Sequence, residues 1–277
     1  MVFSTGVKMI QRISLFLSFF ACIAILVLGW LHWKEKIQEV GEKTVVVEET
    51  NGTEHKEDSS SMEPSPREKL EILTSNLPKE AAEHFLQAFD EEKKVKIMFI
   101  GSSAMGVSTN GWSAQVKESL EKTYGDLVDV VLKEHNGTSI QYIQSGAYQT
   151  DIDEMANIIV WEPFTIQDNS GLILIEHSID AIEIFYQQLQ QKNPESVLIL
   201  QPPQPIYEAV NYPKQVEAIQ TWAEENDIYF INHWPQWPDY NSEAILEYVE
   251  AQGLPNEKGH ELWANVVMDL FINDDEQ

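Results

Sequence analysis

The chain has one cysteine, Cys22, among 277 residues. No intrachain disulfide is possible, so folding does not depend on an oxidising compartment. Cations are scarce too: 18 Lys and Arg stand against 45 Asp and Glu, a formal charge of −27. Nucleic acid and anionic lipid would be repelled by that excess, which argues against either as a ligand. No cluster of His, Cys, Asp or Glu has metal-ligand spacing, so no metal is expected. Internal repeats are absent.

Long apolar runs are also few, and the one at the start of the chain stands out. Ile13 to Leu31, ISLFLSFFACIAILVLGWL, carries no charge over its length. At the helical rise such a segment spans roughly 30 Å, the thickness of a bilayer core. It lacks the short apolar core and small-residue cleavage site of a removable signal peptide, so an uncleaved anchor is expected over residues 13–33. Residues 1–12 then form a short cytoplasmic N-terminus. The stretch 34–67 is rich in Glu, Lys, Ser and Thr and has too little apolar content to fold, so it reads as a solvated tether. The expected location is the cell membrane, crossed once, with residues 68–277 outside the cytoplasm.

From Glu68 onwards the pattern is globular. Residues 68–92 form a helical lead-in with a break near Pro78. Five apolar runs follow: VKIMFIG, LVDVVL, ANIIVWEPF, SVLILQPP and DIYFINHW. Helical stretches lie between and after them, beginning at Trp112, Leu172, Tyr212 and Gly259. Strands alternating with helices of this length predict a three-layer α/β/α domain built on a parallel sheet of about five strands, flavodoxin-like. Ligands of such sheets bind beyond the carboxyl ends of the strands, which gathers the segments after Ile100, Trp161, Leu200 and Phe230 on one edge.

The first of these segments is GSSAMG, Gly101 to Gly106. Its glycines have phosphate-loop separation, but Val107 stands where the loop lysine belongs, and no G-x-G-x-x-G fingerprint is present. A serine just past a strand end suits nucleophilic chemistry better, because N–H groups at the following helix start can stabilise an oxyanion. The segment resembles the first block, G-D-S, of the SGNH (GDSL) esterase and lipase family, with Ser102 in place of the aspartate. That resemblance extends over roughly Lys94 to Phe271. It implies Ser103 as nucleophile and Gly137, in HNGTS, as an oxyanion donor. For the third block it implies Gln167 or Asn169, in TIQDN, as a further amide donor.

The family's last block, D-x-x-H-P-N-x-x-G-H, is only half present. P-N-x-x-G-H runs intact from Pro255 to His260, but Leu254 occupies the base position and Ala251 that of its aspartate. A serine without a proton acceptor is a poor nucleophile. Three readings stay open: His260 paired with Glu257 as base, His233 reaching in from INHWPQWP, or no base at all. The resemblance implies a membrane-anchored, extracytoplasmic serine esterase needing no cofactor. Its partners would be an acyl or acetyl ester of an envelope polymer or lipid, and the membrane itself. The alternative is an inactive domain of the same fold that binds an envelope glycan or a protein partner.

Overall fold

Five strands and nine helices alternate along the described part of the chain. Helices α1 (Pro66–Leu73) and α2 (Lys79–Asp90) lead into β1 (Val95–Gly101). Then follow α3 (Trp112–Tyr124), β2 (Val128–Glu134), α4 (Ser139–Ser145), α5 (Ala147–Ile152) and β3 (Ile158–Trp161). The chain continues through α6 (Thr165–Ser170), α7 (Ile175–Lys192), β4 (Val197–Leu200), α8 (Tyr212–Glu225), β5 (Tyr229–Phe230) and α9 (Glu257–Phe271). These assignments come from a computed structural model that describes residues 64–273, within one compact unit of Met62–Gln277. The expected anchor at 13–33 and almost all of the tether at 34–67 lie outside the described residues. Among the described residues no helix is long and apolar enough to cross a membrane.

The strands pair in parallel in the order β2-β1-β3-β4-β5, the predicted flavodoxin-like arrangement. Parallel strands buried on both faces need apolar residues at successive positions, which is why VKIMFIG and IIVW show no alternation. Ile97, Phe99, Val160 and Ile199 face one core, shared with α1, α2, α3 and α9. Met98, Ile100, Trp161 and Leu200 face the other, shared with α4, α5, α7 and α8. The strand order reverses between β1 and β3, so a crevice opens past their carboxyl ends. GSSAMG, HNGTS and EPFTIQDN all emerge there.

Capping explains several boundaries. Thr138 and Gln141 form a reciprocal capping box at the start of α4. Asn256 caps α9 by accepting from the Gly259 N–H at 3.2 Å. Pro78 breaks the lead-in into α1 and α2, where the sequence predicts the break. Helices α4, α5 and α6 are too short to carry a helical period and do not show in the pattern.

Candidate active site

The two serines that follow β1 have opposite surroundings. Ser102 is 1 % exposed. Its hydroxyl donates to Glu162 Oε2 at 2.8 Å, and its N–H donates to the same oxygen at 2.9 Å. It also caps a single 3-10 turn, Ser103–Met105, by accepting from the Ala104 N–H. Ser103 opens that turn and is exposed. Its own N–H finds no acceptor among the described residues, which leaves a donor free beside the hydroxyl. Gly106 closes the turn at φ +63°, and a Cβ there would come within 2.7 Å of Gly111 Cα. Only glycine fits that crossing.

Ser103 lines a cavity of about 850 Å³ together with Glu134, Leu254, Asn256, Glu257 and His260. The structure therefore brings Ser103, His260 and Glu257 to one space. It does not bring His233 there. That ring is fully buried and stacks on Trp263 at 4.3 Å. Its Nδ1 accepts from Trp237 Nε1–H at 2.8 Å, so Nε2 carries the proton and donates to the Pro202 carbonyl at 2.8 Å. Burial pushes its pKa down to about 3. With both nitrogens spent, His233 is a core residue, and its expected role as base is corrected here.

The pairing of His260 with Glu257 does not form either. Glu257 is exposed, and no hydrogen bond joins it to the imidazole. His260 Nδ1 accepts the Trp112 N–H at 3.1 Å, capping the start of α3. The ring's one lone pair is therefore taken, and its proton sits on Nε2. Burial lowers the His260 pKa, which favours the neutral ring. Leu254 forms part of the cavity wall where the family pattern has its base.

The two other loops of the edge are fastened by buried carboxylates. Asp168 accepts from the Ser139 N–H at 2.8 Å and from the Ser139 and Ser178 hydroxyls at 2.6 Å each. Burial pushes its carboxyl up, against the pull of those donors. This clamp ties the loop carrying Gly137 to the helix carrying Gln167. At the loop's other end, His135 Nε2 lies 2.6 Å from Asp151 Oδ2, which also accepts from the Tyr142 hydroxyl at 2.8 Å. Gly137 sits between these anchors at φ +107°. Its N–H meets no acceptor among the described residues.

Gly137, Gln167 and Asn169 do not line the Ser103 cavity. The Asn169 amide instead donates to Gln215 on α8 at 2.9 Å, which removes it from the expected oxyanion set. Gln167 makes no side-chain hydrogen bond, and its Oε1 is buried without a partner. The sequence reading leaves out the clamps at Asp151 and Asp168. Their partners stand between 9 and 29 residues away, and no motif announces them.

No protein-family profile matches the chain, and no curated protein matches it in sequence. Solved structures do match in fold. A protein from Desulfitobacterium hafniense described as lipolytic and of the G-D-S-L family superposes with a TM-score of 0.52 at 16% identity, covering 64% of this chain and 99% of its own. One from Parabacteroides merdae, described as a GDSL-like lipase, gives 0.55 at 13% identity over 65% and 96%. The acetylxylan esterase Axe2 from Geobacillus stearothermophilus gives 0.50 at 15% identity over 64% and 93%. The fold is thus the one these proteins share, that of the SGNH hydrolases.

Proposed function

We propose that the domain is a serine ester hydrolase, held at the cell envelope by residues 13–33 and acting on an acyl or acetyl ester of an envelope polymer or lipid. One observation carries the catalytic part: of the two hydroxyls past β1, only Ser103 opens onto the cavity, while Ser102 is locked beneath it. The lipase and acetylxylan esterase names of the fold neighbours support an ester as substrate. The charge-free run and the polar tether support the envelope location.

In this reading Ser103 Oγ attacks the ester carbonyl carbon, and the hydroxyl proton leaves as the C–O bond forms. The carbonyl oxygen gains charge beside the free Ser103 N–H. The proton goes to His260, the one imidazole on the cavity wall among the described residues. To take it, the ring has to release the Trp112 N–H, which costs a hydrogen bond and predicts slow turnover. The alcohol leaves with the proton, and water then cleaves the acyl-serine ester.

A second reading rests on a specific observation: Leu254 fills the base position, and the His260 lone pair is already taken. An inactive domain that binds an envelope glycan or a partner would need neither. Labelling of the full-length protein with a fluorophosphonate probe separates the two. The hydrolase reading expects covalent label on Ser103 and p-nitrophenyl acetate hydrolysis, both lost in Ser103→Ala. Equal background in both proteins would refute it.

A further inference from the structure

We propose that Glu162 is the positioning residue of the nucleophile turn, supplying from the end of β3 the carboxylate that the G-D-S-L pattern carries next to its serine. The G-D-S-L family pattern has an aspartate where this chain has Ser102. The carboxylate is not lost from the site. It arrives from the adjacent strand, where Glu162 follows Trp161 and extends β3 by donating its N–H to the Ile100 carbonyl at 2.9 Å.

The exchange is visible in three contacts. Glu162 Oε2 accepts both the Ser102 N–H and the Ser102 hydroxyl, at 2.9 and 2.8 Å. A Cβ on Gly101 would lie 3.0 Å from that same oxygen, so the missing side chain leaves room for the carboxylate. Ser102 in turn accepts from the Ala104 N–H at 3.3 Å, passing the constraint into the turn that Ser103 begins. Serine suits this position because it donates to one partner and accepts from another, which an aspartate cannot do.

The arrangement is costly, which argues that it is retained for position. Glu162 is fully buried, and its Oε1 has no hydrogen-bond partner. An incompletely satisfied buried carboxyl costs folding stability, which points to a role in placing the turn. Burial, together with the nearby Asp168, pushes the Glu162 carboxyl up to about 7 against the pull of the Ser102 donors and the Phe164 N–H. Tyr212, itself fully buried, also feels this charge. Ionisation of Glu162 therefore falls in the neutral range, and the Ser102 contacts become charge-assisted there.

This inference deepens the hydrolase reading but can be judged apart from it. The test compares the full-length wild type with Glu162→Gln, Ser102→Asp and the double variant, by amide hydrogen exchange of peptides covering 98–107. Loss of hydrogen bonds to an ionised acceptor predicts exchange faster by about tenfold or more in Glu162→Gln. Ser102→Asp, which sets two carboxylates in contact, should loosen the turn at least as much. In the double variant the introduced amide donates to the introduced carboxylate, and protection should return to within about threefold of wild type. Corrected for the intrinsic exchange rate, wild-type protection should fall as pH rises from 4.5 through 7, because opening exposes the carboxyl and releases its proton, and Glu162→Gln should lack that step. Unchanged exchange in Glu162→Gln, or no rescue in the double variant, overturns the proposal. Should Glu162→Gln fail to fold, Ser102→Ala, which keeps the N–H contact, must still show faster exchange at 103–105. Fluorophosphonate labelling of the same proteins reads the other question: no label in any of them refutes the hydrolase, while the exchange data still decide the role of Glu162.

Discussion

The two sides of the edge past the strands' carboxyl ends are built differently. On the side of β1, β2 and β3, buried carboxylates hold each loop: Glu162 the nucleophile turn, Asp151 and Asp168 the two ends of HNGTS. On the side formed by the chain after β5, the histidines serve the fold itself. His233 joins Trp237, Trp263 and Pro202 in the core, and His260 caps α3. One half of the edge holds its loops with carboxylates around the proposed nucleophile, and the other half has its imidazoles employed in packing. The contrast teaches that the nucleophile and the base of such a fold are separable, because different loops carry them.

The sharpest way to break this contrast is to give the second side its missing pair. Ala251→Asp with Leu254→His restores the D-x-x-H spacing in front of the intact Pro255–His260 segment. A positioned general base contributes about 10²–10⁴-fold. If the nucleophile side is organised as described, p-nitrophenyl acetate hydrolysis should rise by about 10²-fold or more and remain dependent on Ser103. No gain in a folded double variant would mean that the first side is no better prepared than the second.

His233 gives the next largest effect. Truncation to Ala removes a ring stacked on Trp263 and leaves Trp237 Nε1–H and the Pro202 carbonyl unpaired in the core. Loss on the order of 3–5 kcal/mol is expected, measured by urea denaturation. Ser103 labelling of the fraction that stays folded should not change. Acid should act on the same residue. Its folded pKa of about 3 lies below the ordinary 6.5, so its stabilisation is present above 6.5 and fades as pH falls towards 3.

Glu162 has the opposite sign. Its folded pKa of about 7 lies above the ordinary 4.5. The folded state keeps the proton that the unfolded state gives up, so stability declines as pH rises from 4.5 through 7. The full decline is on the order of 3 kcal/mol. Thermal melts at pH 5 and pH 8 should show the fall in wild type and a flatter response in Glu162→Gln. If the variant tracks the wild type, the carboxyl on the nucleophile side is not the buried group described.

Much of this architecture was legible in the sequence, and what was hidden has physical causes. VKIMFIG and IIVW announced buried parallel strands, and the helix starting at Trp112 lies where its pattern places it. Ser103 stood out through its place past a strand end and the resemblance to G-D-S, and the structure puts it on a cavity wall. The fate of the histidines was not readable. A histidine in INHWPQWP looks the same whether it faces a cleft or a tryptophan, and only burial separates the two. Glu162 reads as the end of a strand, and its contact with Ser102 spans 60 positions. Gln167 and Asn169 sit two residues apart in a short helix, and the Gln215 contact of Asn169 has no sequence signal.

The smallest effect probes the joint between the two sides. His260 both caps α3 and stands on the cavity wall with Ser103. Removing it by His260→Ala costs a cap, about 1 kcal/mol. A full general base would also forfeit 10²–10⁴-fold in turnover, but this ring must first give up the Trp112 N–H, about 1–3 kcal/mol. The net loss expected is therefore only about tenfold. Hydrolysis and melting of His260→Ala should be measured on the same preparation. A tenfold loss with a modest shift in melting assigns the proton transfer to His260. Unchanged hydrolysis with the same shift leaves it a cap and removes the last imidazole from the chemistry. In that case Ser103 would have, among the described residues, no acceptor but water or a carboxylate of the cavity wall, and the division between the two sides would be complete.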